Sequence, residues 1–318
     1  MLHGKEIYLF FGIYGVNGVI GIIIAQVLVG LIIYKTITIT KKYNIKNYSQ
    51  LIEKINTNNK INEIIKIIIN IFLLISFYVM VAGFSAYFAQ ELGIPNIIGT
   101  SIIIVLCYMV FTGNIESLIK VNTILVPILI IFIILLSVKN IDAYNNINQK
   151  MIEKDIAKCI YSAIIYSSYN SITLIPIIVT LKKHIKNKTQ LIKISTICTI
   201  ILIILAISVY GIILKVDINL NQVELPTVYV AGQSGSIYKY LYGLTIILAI
   251  FTSAISAGYS ILENYVQKPK RYKSIAIAIC ISAIFVSRIG FSNLVNLLYP
   301  VFGLLGTVQI GMLMFHSR

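Results

Sequence analysis

Charge is scarce in this chain. Of its 318 residues only 12% are Asp, Glu, Lys or Arg, where a soluble domain carries about 25%. Hydrophobic residues make up 58%, with a mean hydropathy of +0.90. One globular core cannot enclose so much apolar surface, so lipid is the expected solvent for much of it. Acidic residues are scarcer still, 11 against 26 basic, for a formal charge of +15. In a soluble protein that excess would point to nucleic acid. Here the lysines sit in short loops between apolar runs, and no nucleic-acid partner is expected.

Metal-ligating residues are few and scattered. Cys107, Cys159, Cys198 and Cys280 form no CxxC pair, and three of them lie well inside apolar runs, as small buried hydrophobes do. With His3, His184 and His316 equally dispersed, no metal site is expected. There is no HExxH, no GxSxG and no pair of intramembrane acids, which speaks against an enzyme. No filter-like segment repeats, which speaks against a pore. The first apolar run lacks a basic n-region and a small-residue cleavage site, so no cleavable signal peptide is expected.

Long apolar runs are what the chain does have. A membrane helix needs about 20 apolar residues. Full spans are predicted near 15–35, 64–89, 95–112, 118–138, 156–181, 192–214, 237–262, 273–289 and 294–315. From Ile7 to Ile33 the sequence is almost continuously apolar but punctuated by Gly12, Gly15, Gly18 and Gly21. That is too long for one span and too short for two. It predicts a half-length helix from about Lys5 to Gly12, a glycine turn, then a full span.

Most basic residues fall in alternate loops, including seven lysines from Lys35 to Lys66, the Lys182–Lys193 cluster, and Lys268 to Lys273. The positive-inside rule makes these loops cytoplasmic and sets the C-terminus on the same side. The expected setting is a multi-pass protein of the plasma membrane, one transmembrane domain over 1–318 with the bilayer as its partner. The loop at 36–63, with Tyr43, Tyr48 and Leu51, predicts an amphipathic helix lying on the anionic leaflet. The segment 215–236 reads as an external loop with the character of a lid.

Polar residues inside spans are costly and are the first place to look for function. Glu6, in Gly4-Lys5-Glu6, either lies near the membrane midplane at the head of the half-helix or frays in water as part of a free terminus. Tyr166-Ser167-Ser168-Tyr169-Asn170-Ser171 places six hydrogen-bonding side chains in mid-span. Such a stretch either unwinds around a cavity or stays helical and bonds its neighbours. Ala249, Thr252, Ser253 and Ser256 share one helix face at i, i+3, i+4 and i+7. That face suits a hard cation or close helix packing. Glu91, Glu116 and Glu263 fall at span ends and are expected to be solvated.

Gly4-Lys5-Glu6-Ile7 with Phe10-Phe11, Glu91-Leu92-Gly93-Ile94-Pro95, Tyr166 to Asn170 and Leu298-Tyr299-Pro300 together resemble the YkvI-like bacterial membrane proteins. The likeness covers nearly the whole chain. It implies kinship with the amino acid–polyamine–organocation superfamily and its LeuT-type fold, an inverted 5+5 helix repeat with the first and sixth helices broken at the midplane. The spans then divide into repeat one, about 1–138, and repeat two, about 156–318. Nine full spans and one half-helix result, with the inner half of the first helix missing before Met1. A start codon assigned too far downstream is the preferred account, a truncated and inactive transporter the other.

The resemblance further implies a secondary transporter, a symporter of a small organic solute such as an amino acid. Its substrate-binding residues would be Gly4, Lys5, Glu6, Ser167, Ser168, Tyr169 and Asn170. Ala249, Thr252 and Ser253 match the spacing of a sodium site. Sodium or a proton would be the coupling ion, with no resident cofactor. The competing class is a ligand-sensing receptor subunit on a transporter fold that moves nothing.

Overall fold

The structure, a computed structural model, describes residues 4–45, 48–113, 116–142, 152–181, 185, 187–214, 223–265 and 269–315. Among these, twelve α-helices occur and no strand. The glycine-punctuated start is built as its spacing predicts. Helix α1 (Gly4–Phe11) ends in a 3-10 turn over Gly12–Tyr14, and α2 (Val16–Lys42) follows. Gly15 between them has φ 53° and ψ −127°, a conformation that a side chain would strain. The carbonyls freed at this corner are satisfied from outside. The Tyr210 hydroxyl donates to the Phe11 and Gly15 carbonyls at 3.2 and 2.9 Å, and Ser162 Oγ donates to Phe10 O at 2.7 Å.

The other long helices are α4 (Asn59–Leu92), α5 (Asn96–Thr112), α6 (Glu116–Lys139), α7 (Ile156–Leu181), α8 (Lys188–Leu214), α10 (Ser236–Tyr265), α11 (Pro269–Val286) and α12 (Phe291–Phe315). Each coincides with a predicted span. Several run past it, α2 and α4 most of all, because backbone hydrogen bonding continues into polar sequence that hydropathy does not mark. Among the described residues, α2, α4, α8, α10, α11 and α12 are long and apolar enough to cross a membrane. α5 and part of α6 are shorter apolar helices, and α7, with its polar run, is not in that set. Large aliphatic side chains remain exposed at helical spacing, such as Ile64, Ile67 and Ile71 on α4 and Leu297, Val301, Leu304 and Val308 on α12. These stripes fit a hydrocarbon solvent.

Two short helices complete the order, α3 (Tyr48–Ile55) and α9 (Pro226–Gln233), eight residues each. α3 corrects the expectation of a helix lying on lipid. Its apolar residues Tyr48, Leu51 and Ile52 are buried in protein, where α3 packs on α4 and α7. The Tyr48 hydroxyl accepts from Gln309 Nε2 at 2.8 Å. The apolar moment that suits an interface serves equally well against a neighbouring helix. α9 likewise turns the described part of the 215–236 loop into a packed element. It starts with Pro at its first turn, buries Thr227, Val228, Val230 and Ala231, and packs on α8 and α10.

Around the core, α7 packs chiefly on α2 and α12, and α10 on α4. The α7–α12 approach is close because α12 offers Gly303 and Gly306 there. A Cβ at Gly306 would sit 2.5 Å from the Ser168 carbonyl oxygen and 2.8 Å from its carbon.

Candidate functional site

A cavity of about 520 Å³ lies inside the bundle, lined from α1, α2, α4, α6, α7, α8, α10 and α12. Of the residues singled out from sequence, Glu6, Tyr166, Tyr169, Asn170, Ala249, Thr252, Ser253 and Ser256 line it. They come from three helices far apart in the chain. Tyr169 stands halfway along α7, so the site sits at mid-depth of the bundle.

Glu6 is fully buried, not frayed. The Tyr169 hydroxyl donates to its Oε1 at 3.0 Å. Tyr169 is itself held among rings, stacked on Tyr299 at 4.3 Å between centroids and on Phe10 at 6.3 Å, with Phe72 edge-on at 5.9 Å. Such packing fixes the hydroxyl that meets the carboxyl.

The remaining predicted substrate residues point elsewhere. Gly4 backs onto α8 and α9, where an added Cβ would meet Thr227 Cγ2 at 2.8 Å. Lys5, also buried, donates from Nζ to the Val223 carbonyl at 3.0 Å, on the α9 side of α1. Adjacent helix positions project about 100° apart, which is why Glu6 meets the cavity and Lys5 does not. Ser167 and Ser168 are buried, donate to Ile164 O at 2.9 and 2.7 Å, and do not line the cavity.

The polar run of α7 is not unwound. The helix is continuous from Ile156 to Leu181, and its hydroxyls and amide donate mostly to carbonyls three or four residues back, Asn170 to Tyr166, Ser171 to Ser168 and Thr173 to Asn170. A serine-rich helix satisfies its side chains locally in this way, so polarity in mid-span did not entail a break. The break in the sixth helix that the resemblance implies does not occur in α7.

On α10, Thr252 Oγ1 and Ser253 Oγ both donate to the Ala249 carbonyl, at 3.1 and 2.7 Å. Ser256 continues the pattern to Thr252 O and Ser260 to Ser256 O, both at 2.8 Å. All five residues face the cavity. No group of three or more His, Cys, Asp or Glu that would hold a metal occurs among the described residues.

Sequence reasoning missed Gln26, Tyr242 and Tyr299 as lining residues. Gln26, an amide in the middle of the apolar α2, carried a signal of the kind that led to Glu6. Tyr242 and Tyr299 carried none, since a tyrosine in a span is as often packing as lining. Glu91, expected in solvent, pairs with Lys239 at 3.0 Å. The side chains of Glu116 and Glu263 lie outside the described residues.

No protein-family model matches the chain. Among curated proteins it is similar to the uncharacterized membrane protein YkvI of Bacillus subtilis (strain 168), with 29% identity over 316 residues, 98% of this chain and 90% of that relative. That similarity to a membrane protein along nearly its whole length, together with its set of long apolar helices, makes the chain a multi-pass membrane protein similar to YkvI.

Proposed function

We propose that the protein is a secondary active transporter of LeuT-type architecture that couples entry of a small organic solute to sodium or protons. The observation that carries this is the mid-depth cavity with the buried Glu6 carboxyl in its wall and the Tyr169 hydroxyl upon it. A buried acid beside a solute-sized space inside a membrane bundle is expensive to keep unless ions or substrates use it.

The element order supports a duplicated plan. Each half runs through two helices, of which α1 is only eight residues, then a short helix of eight residues, then three long helices. Packing supports it too, since α1 touches α7, α2 touches α8, α4 touches α10 and α5 touches α11. These are the pairs five helices apart when α3 and α9 are left out of the count. Two groups follow, α1, α2, α7 and α8 on one side and α4, α5, α10 and α11 on the other, with the cavity walled by both. Rocking of one group against the other would expose the cavity alternately to the two faces. Unlike the parent plan, this one operates with an unbroken α7.

The test is uptake into proteoliposomes under an imposed sodium or proton gradient. Gradient-dependent accumulation that Glu6→Gln abolishes is expected. Saturable binding with no accumulation under either gradient would replace this reading with the non-transporting sensor.

A further inference from the structure

The wall of the cavity offers an acid and no base. Among its described lining residues Glu6 is the one acid, and there is no Lys, Arg or His. Around the carboxyl stand the rings of Tyr166, Tyr169 and Tyr299, with Tyr242 and Phe72 lining the same space. Ring faces attract cations and offer nothing to a carboxylate.

The hydroxyls of the wall add to this bias. A serine or threonine has one hydrogen to donate and two lone pairs to offer. Thr252, Ser253, Ser256 and Ser260 each give that hydrogen to a carbonyl of their own helix, as Thr173 does on α7. What Thr252, Ser256 and Ser260 then turn toward the cavity is acceptor oxygen. Thr252 to Ser260 extends this oxygen ladder for about 12 Å along α10.

We propose that the solute is an organic ammonium ion without a carboxylate, an amine rather than an α-amino acid. Its ammonium group sits between the Glu6 carboxyl and the tyrosine rings, and any further donor lies against the α10 oxygens. A carboxylate on the solute would meet no cationic side chain, only the neutral amides of Gln26 and Asn170 as nitrogen donors, and would face the acceptor oxygens and Glu6 itself. The proposal rests on reading this cavity as the solute site.

The experiment uses pairs that differ by one carboxyl group. Thermal stability of the purified full chain in detergent is measured with 3-methylbutylamine against leucine, and with 1,5-diaminopentane against lysine. Lysine controls for net positive charge. A rise in melting temperature of roughly 2–5 °C is expected with each amine and not with its parent amino acid. Glu6→Gln is expected to remove it. An amino acid that matches or exceeds its amine overturns the proposal. So does an amine shift that survives Glu6→Gln, or no response to either amine. If Glu6→Gln does not fold, Tyr169→Phe and Ser256→Ala take its place, and a diamine shift that both leave unchanged overturns the idea equally. Solute exchange in proteoliposomes separates this from the transporter reading. Amine binding without exchange keeps the solute class and removes transport, and amino-acid exchange without amine binding does the reverse.

Discussion

Glu6 and Lys5 differ by one position and meet different surroundings, one the central cavity and the other the Val223 carbonyl. The same residue-scale logic governs the glycines of α12. Gly306 faces the backbone of α7, where an added methyl would lie 2.5 Å from the Ser168 oxygen, and backbone cannot step aside as a side chain can. Gly311, one turn on, has nothing within 4 Å of such a methyl. Gly306→Ala is therefore expected to lower stability by about 1–3 kcal/mol. Gly311→Ala is expected to be neutral or to raise it by about 0.5–1 kcal/mol. Melting temperatures of the two variants check this, and equal effects would mean that α7 and α12 do not meet as described.

At the scale of elements, the helices follow local chemistry but their partners do not. α4 begins where Asn58 accepts hydrogen bonds from the Lys60 and Ile61 amides and ends at Gly93 in the left-handed conformation, an ordinary pair of caps. α3 has a lipid-seeking pattern but a protein-facing surface. Leu51 is fully buried between α3 and its neighbours, so Leu51→Ala should cost about 2–5 kcal/mol, as core leucines do. If α3 lay on a bilayer instead, the detergent-solubilised protein would lose little on that substitution, and an unchanged melting temperature would return the helix to the membrane surface.

At the scale of the whole molecule, lysine placement predicts the direction in which the bundle is threaded. Lys35, Lys41 and Lys42 lie at one end of α2, the end from which α4 starts. Alternation of the long helices carries the C-terminus to that same end. A reporter fused after Arg318 should be accessible from the cytoplasm, and access from outside alone would reverse the topology. The opposite end of the bundle, away from the α2 lysines, is held by polar contacts. There Gln90 Oε1 accepts from the Glu224 and Leu225 amides, Glu224 Oε2 accepts from Ser292, and Glu91 pairs with Lys239. These contacts tie the segment before α9 to α4 and α12, and α4 to α10.

The sequence by itself determined the membrane setting, the positions of the nine long helices, and the half-helix with its glycine corner, and it marked Glu6 as a candidate. Each is written locally, in apolar run length, in glycine spacing, or in an ionisable side chain next to hydrocarbon. Only the tertiary structure decided that Glu6 meets Tyr169 across 163 positions of chain, that Lys5, Ser167 and Ser168 stay out of the cavity, and that Gln26, Tyr242 and Tyr299 enter it. It also decided that α7 stays whole. The reason is physical in each case. Helix direction and burial follow from neighbours three or four residues away, whereas the side chains that share a cavity are chosen by which helices pack together, and nearly every face of these helices is apolar enough to have packed on another.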